Sequence, residues 1–209
     1  NGEGRFAETG KVFWNGIYFL LGLSVLIILG SELLTPWLMR LMVSSDAIYT
    51  AALSYVRWRL PGMVFAFMTA MYRAFYVGTT QTKTLTFNSI VMVLSNVIFN
   101  WILIFGHLGF PALGITGAAI GSSLAELVSL IFFFVYTRLR CDRKKYGLDK
   151  AASFDIGELR GMMPVCSWTM IQNVISLSTW FIFFLYIEHL GERALAISNI
   201  TRSVSGLMW

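Results

Sequence analysis

Apolar residues in this chain come in blocks that are long enough to cross a membrane. Five blocks each reach the ~20 residues that a helix needs to cross ~30 Å of hydrocarbon at 1.5 Å per residue, and a sixth runs to the end of the sequence. Short connections near 40–49, 80–82, 107–114 and 190–191 predict that successive helices run antiparallel. The predicted helices are residues 12–39, 50–79, 83–106, 115–139, 164–189 and 192–209.

The composition supports the same fold class. Of the 209 residues, 56% are hydrophobic and 13% are charged, about half the charged fraction of a soluble domain. A soluble core cannot bury so much apolar surface, so the sequence predicts an all-α polytopic membrane protein with about six transmembrane helices. The chain starts on a polar stretch without Met and stops inside an apolar segment, so we expect an internal piece of a longer protein.

A long, charged connection divides the predicted helices into two groups. We assign residues 1–139 to a first group of four helices, 140–163 to a basic linker, and 164–209 to a second group of two. Most Lys and Arg residues fall in the N-terminal stretch, the linker and the loop near 80–82. By the positive-inside rule these segments are cytoplasmic, in a multi-pass protein of the plasma membrane. Residues 155–163 are expected to form a short interfacial helix, and Pro164 to occupy the first turn of the next span.

Polar side chains within the third predicted helix form one stripe. Asn88, Asn96 and Asn100 fall on one side of that helix at 100° per residue. A polar group in a bilayer needs a partner, so the stripe faces protein or water. Interhelical hydrogen bonding and an ion or substrate cavity both remain open for Asn96 and Asn100.

Glu126 is the deepest acid in the complete predicted spans. It could bind and release a proton, or donate one hydrogen bond to a neighbouring helix without titrating. Gly117 and Gly121, on the same helix, have the spacing of a close helix–helix contact. Arg57 and Arg59 are expected to extend towards the outer interface. The last two helices carry polar residues with equally open roles: Gln172, Asn173, Asn199 and Arg202.

The sequence contains no motif for covalent chemistry. A Walker A sequence, HExxH and GxSxG are missing, and the two cysteines lack metal-type spacing. We therefore expect no enzymatic activity and no cofactor. An intramembrane enzyme would need a nucleophile–base pair or a metal cluster, and a channel would need a selectivity filter.

Three stretches resemble the multidrug and toxic compound extrusion (MATE) family. The first is "YVRWRLPGMVFAFMTAMYRAFYVGTTQTKT", which looks like that family's fourth helix and the turn after it. The second is "SNVIFNWILIFGHLGFPALGITGAAIGSSLAE", similar to the fifth and sixth helices. The third is "MMPVCSWTMIQNVISLSTWFIFFLYIEHLGERALAISNI", similar to the seventh helix and the start of the eighth. The asparagine pair followed by "LIFG" and "GFPALGITGAAIG" is the most specific part.

The resemblance implies a fold and an activity. Members have twelve helices in two lobes, so this chain would carry helices three to eight, with the linker between lobes. They export organic cations and amphipathic drugs in exchange for Na⁺ or H⁺ by alternating access. The implied partners are a small amphipathic substrate and the bilayer, with no nucleic acid, in a monomeric protein. A lipid-linked oligosaccharide flippase of the same superfamily is the alternative, and it would need a cavity rich in Arg and Lys.

The implied site residues depart from the family pattern at two positions. Some members hold a cation with an Asn-x-x-x-Asp pair, where Asn96 matches the Asn but Asn100 replaces the Asp. Others carry a Glu eight residues after a proline, a place that Gln172 occupies here. The resemblance implies a monovalent cation near Asn96 and Asn100. The implied substrate and ion cavity is lined by Asn96, Asn100, Glu126, Gln172, Asn173, Asn199 and Arg202.

Overall fold

The computed structural model describes residues 6–42, 46–149, 152–189, 197–198 and 200–202. The described residues form helices and connecting turns without a β-strand, which confirms the predicted all-α class. Five helices have defined bounds: α1 (Phe6–Met42), α2 (Asp46–Gly78), α3 (Thr82–Phe105), α4 (Gly114–Arg140) and α5 (Ile156–His189). By length and composition, four described segments could cross a membrane: Glu8–Leu41, Asp46–Gly78, Thr82–Phe105 and Gly114–Arg140.

The chain divides into two compact units, Asn1–Asp155 and Ile156–Trp209. In the first unit α2 is central and packs against α1, α3 and α4, while α4 also packs against α3. Side-chain pairs at both ends show that α2 and α4 run in the same direction. Ser54 and Thr116 share a hydrogen bond of 2.9 Å, and Tyr76 and Thr137 share one of 2.8 Å. Helix α3, which connects α2 to α4, therefore runs antiparallel to both of them, as the short loops predicted.

The most densely buried part of the first unit is an aromatic cluster at one end. Tyr76 and Phe133 are fully buried and stack with ring centroids 5.6 Å apart. The loop after α4 folds back onto them, so that Tyr146 meets the ring of Phe75 edge to face at 5.4 Å. Aromatic pairs in this geometry add packing energy beyond their buried area. We call this end, which includes the basic 141–149 loop, the basic end.

The connection between α3 and α4 is a tight turn built on glycine. Gly106 adopts a left-handed conformation (φ 75°) and closes α3 with an N–H···O bond to Ile102. Leu113 then donates its backbone N–H to the carbonyl of Leu103 at 2.9 Å. A Cβ on Gly117 would overlap that same carbonyl, so only glycine lets α4 approach α3 this closely. The close-packing role predicted for this glycine is confirmed.

The predicted start of the fifth span is wrong. Helix α5 runs without a break from Ile156 to His189, so residues 155–163 do not form a separate interfacial helix and Pro164 lies inside α5. A proline inside a helix removes one backbone hydrogen bond, and here the helix continues past it. The sixth predicted helix, 192–209, lies largely outside the described residues, although 197–198 and 200–202 are helical. The three-part domain division stays a prediction.

Candidate functional site

Asn96 and Asn100 lie one turn apart on α3 and bind each other. The Asn100 Nδ2 group donates to Asn96 Oδ1 at 2.6 Å, and both side chains are half-buried. Because this bond uses the amide hydrogen of one residue and the oxygen of the other, it fixes the orientation of both amides. The Oδ1 atom of Asn100 is then left on the other side of its amide.

That oxygen is buried and accepts no hydrogen bond from a described residue. It points at α4, where a Cβ on Gly121 would come within 2.5 Å of it. A buried carbonyl oxygen without a donor is unusual in proteins, and a water or an ion can satisfy it. Carbonyl oxygens are ligands of hard cations, so the chemistry of this atom fits a cation such as Na⁺.

Asn88 belongs to a different environment, although the sequence places it on the same stripe. It is 1% exposed, and its Oδ1 accepts a hydrogen bond of 2.9 Å from the fully buried Ser129 hydroxyl of α4. Its Nδ2 group is buried without an acceptor among the described residues. The stripe predicted on α3 thus faces protein as expected. It divides into a structural contact at Asn88 and a paired site at Asn96 and Asn100.

Glu126 forms an ion pair that the sequence interpretation missed. Its Oε1 lies 3.6 Å from Nη2 of Arg59, and the two side chains are 17% and 30% exposed, respectively. The expectation that Arg59 extends to the outer interface is therefore wrong, because its guanidinium turns to α4 and neutralises the acid. The similar depth of the two residues along their helices is a sequence signal for this pairing. Each lies a similar number of residues from the start of its helix, and α2 and α4 are parallel.

Small residues make room for this ion pair. A Cβ on Gly62 would come within 2.7 Å of Nη1 of Arg59 and would overlap the Ser123 hydroxyl. That Nη1 atom is buried and makes no hydrogen bond to a described residue. Ser123 donates to backbone carbonyls of both helices, Ala119 at 2.9 Å and Trp58 at 3.2 Å. No described contact joins Glu126 to Asn96 or Asn100.

The remaining predicted residues belong to the second unit. Gln172 and Asn173 are exposed on α5, and Arg202 is exposed in the short helical stretch near the end of the chain. Asn199 lies outside the described residues. A groove of about 360 Å³ follows α5 and is lined by Ser176, Thr179, Trp180 and Phe183. Within the described ranges no three His, Cys, Asp or Glu side chains come together as a metal site.

Comparison with known proteins finds a family that matches part of the chain. The family model described as MatE matches residues 1–102, a range that includes α1, α2, most of α3 and both asparagines of the paired site. Residues 1–102, just under half of the chain, match the MatE family. This is the family that the resemblance in the sequence suggested.

Three relatives match a longer stretch of the chain than the family model does. "Probable multidrug resistance protein NorM" of Geobacillus kaustophilus is 28% identical over 133 residues, which is 64% of this chain and 28% of the relative. "Probable multidrug resistance protein YoeA" of Bacillus subtilis is 34% identical over 122 residues, 58% of this chain and 26% of the relative. A "Probable multidrug resistance protein NorM" of Streptococcus pneumoniae is 32% identical over 130 residues, which is 62% of this chain and 28% of the relative. The chain thus spans little more than a quarter of the length of these relatives.

Proposed function

We propose that the protein is a secondary active antiporter. It exports organic cations or amphipathic drugs in exchange for Na⁺ or H⁺ by alternating access, in a multi-pass protein of the plasma membrane with the basic end in the cytoplasm. The MatE match and the multidrug-resistance names of the relatives support the transport class. The four membrane-length helices support the location in a bilayer. The proposal includes no enzymatic step and no cofactor.

The observation that carries the coupling mechanism is the free carbonyl oxygen of Asn100. The 2.6 Å bond between Asn96 and Asn100 orients the two amides, and the Asn100 oxygen then faces Gly121 of α4. An amide does not titrate, so this pair would take a metal cation and not a proton. Na⁺ bound there would bridge α3 and α4 and favour one of the two access states.

Glu126 would serve the other coupling ion. Its carboxylate can accept a proton, and protonation would cancel the attraction to Arg59 across the α2–α4 contact. Loss of a charge pair at membrane depth changes how strongly two helices hold together, so proton binding there could also shift the access state. On the second unit, the sequence resemblance assigns Gln172, Asn173, Asn199 and Arg202 to substrate binding.

The test measures efflux by the full-length protein in sealed vesicles. We expect export of ethidium or norfloxacin that requires an imposed Na⁺ or pH gradient. Asn100→Ala should lower the Na⁺-driven rate about tenfold, since one ligand of a hard cation is lost, while Glu126→Gln should lower the pH-driven rate. The control is Thr82→Ser, an exposed change at the start of α3. Absence of gradient-dependent efflux, or variants that match the wild type under both gradients, would overturn the proposal.

A lipid-linked oligosaccharide flippase is the second candidate. It would need an excess of positive charge facing its cavity to hold a pyrophosphate. Arg59 is a cation at the depth of Glu126, but Glu126 neutralises it. The described part of the first unit therefore favours an antiporter, and failure of drug efflux together with lipid translocation in the same vesicles would favour the flippase.

A further inference from the structure

A polar cavity lies between α1 and α2, and neither asparagine of the α3 pair lines it. It has a volume of about 230 Å³. Its polar wall consists of Ser31, Glu32 and Thr35 on α1 and Arg57 on α2, and its apolar wall is aliphatic. Both helices belong to the same compact unit, and both segments are long and apolar enough to cross a membrane.

Helical spacing explains why these side chains share the cavity. Ser31 and Thr35 are one turn apart, with Glu32 beside them, and Arg57 follows Leu53 by one turn on α2. Two positions separate Arg57 from Arg59, so the two arginines point to nearly opposite sides of α2. One guanidinium thus faces α1 and the other faces α4.

The two arginines differ in their partners. Arg59 lies 3.6 Å from a Glu126 oxygen, whereas Arg57 and Glu32 line one cavity without forming an ion pair or hydrogen bond within the described part of the chain. Charges on membrane-crossing helices are costly unless a partner, water or a ligand solvates them. The cavity therefore offers one positive and one negative group, both exposed and neither paired with a described residue.

We propose that this cavity binds a small zwitterion whose carboxylate meets Arg57 and whose ammonium meets Glu32. Each contact would be a charge-assisted hydrogen bond, the strongest kind available to these groups. The ligand is neutral overall, as is the pair of charges that receives it. The hydroxyls of Ser31 and Thr35 can donate to the carboxylate or accept from the ammonium.

Cavity size and lining narrow the ligand class. Drug-sized ligands occupy about 300–1,000 Å³, so 230 Å³ fits a smaller molecule. Leu53, Val56 and Leu60 present an aliphatic wall beside the charges. An amino acid with an aliphatic side chain matches both features, and L-leucine is a suitable probe. The proposal does not depend on antiport, because it concerns equilibrium binding.

The experiment compares three probes on the purified full-length protein by isothermal titration calorimetry. L-leucine keeps both charges, leucine methyl ester keeps the ammonium only, and N-acetylleucine keeps the carboxylate only. We expect leucine to bind at least about tenfold more tightly than either analogue, because each lost charge-assisted bond costs about that factor. No leucine binding at millimolar concentration, or equal binding of the three probes, would overturn the proposal without any variant.

Substitutions in the cavity test whether leucine binds there. Arg57→Gln and Glu32→Gln should each weaken leucine binding about tenfold or more, and the exchange of Glu32→Arg with Arg57→Glu should restore part of it. Arg73→Gln, an exposed arginine on the same helix outside the cavity lining, is the matched control. Binding that survives both single substitutions would place leucine elsewhere and contradict the proposal, as would equal loss in the control.

Discussion

Asn100 keeps a buried carbonyl oxygen that accepts no hydrogen bond from the described residues, although its Nδ2 group donates one to Asn96. Leaving such a group unsatisfied costs about 1–3 kcal/mol, so a binding partner that supplies the missing contact regains that free energy. The Asn-x-x-x-Asn spacing predicts that the two side chains meet. It does not predict which oxygen is left over, because that depends on how closely Gly121 of α4 approaches.

A methyl group at position 121 should therefore disturb the pair. In Gly121→Ala the new Cβ would come within 2.5 Å of the Asn100 oxygen and 3.3 Å of its backbone nitrogen, so the amide must turn and its bond to Asn96 must weaken. Overpacking of this kind costs about 1–3 kcal/mol. We expect a lower unfolding temperature in detergent and loss of any stabilisation by Na⁺. Thermal unfolding with and without NaCl measures both.

The matched control for this substitution is Gly30→Ala. Gly30 is also helical, but nothing lies within 4 Å of its prospective Cβ, so the change should be neutral or slightly stabilising. Equal behaviour of the two variants would contradict the proposed contact. The double variant Gly121→Ala with Asn100→Ser should recover part of the stability, because the shorter side chain removes the clash.

The Arg59–Glu126 ion pair leads to a second prediction at this scale. Removing either charge leaves the other one partly buried without its partner, which we expect to destabilise the protein by about 1–3 kcal/mol after allowance for solvent screening. The double variant Arg59→Gln with Glu126→Gln should be less destabilised than the sum of the single variants. A double-mutant cycle on unfolding free energies measures the coupling, and additive effects would contradict a direct ion pair.

Among the elements, the helices of the first unit could be read from apolar block length, and their bounds needed only small shifts. The sequence places Arg59 and Glu126 at similar depth, but it does not predict that they meet or that Glu32 and Arg57 share a cavity, because both depend on the rotation of α2 against its neighbours. The wrong prediction for the start of α5 has a different cause. Pro164 is a strong start signal in soluble helices, but in a long helix the local propensity is overridden by the need to satisfy the backbone.

The continuity of α5 can be tested by distance. Spin labels at Ile156 and Ile182, both exposed, should be about 39 Å apart along an unbroken helix at 1.5 Å per residue. A right-angled bend at Pro164, as the separate interfacial helix would require, shortens that separation to roughly 30 Å. Pulsed electron paramagnetic resonance on a cysteine-free background distinguishes the two distances. The same pair with Pro164→Ala is the control and should give the longer value.

For the whole molecule, the direction of insertion follows from charge. The 141–149 loop carries basic residues and packs its Tyr146 and Leu148 into the aromatic cluster at the basic end. The positive-inside rule predicts that the basic end is cytoplasmic. Cys141, at the junction of α4 and the loop, provides a native reporter of both its side and its packing.

We expect Cys141 to react with a membrane-impermeant maleimide in inside-out vesicles but not in right-side-out vesicles, in a Cys166→Ser background. Burial raises the pKa of the Cys141 thiol, Asp142 raises it further, and Arg143 opposes the shift. Since the thiolate is the reacting form, its labelling rate should rise at higher pH than that of an exposed cysteine. Ser153→Cys in a protein lacking both native cysteines supplies that reference, because position 153 is exposed. Labelling only from the outside would reverse the predicted orientation, and coincident pH profiles would show that the loop does not pack against the aromatic cluster.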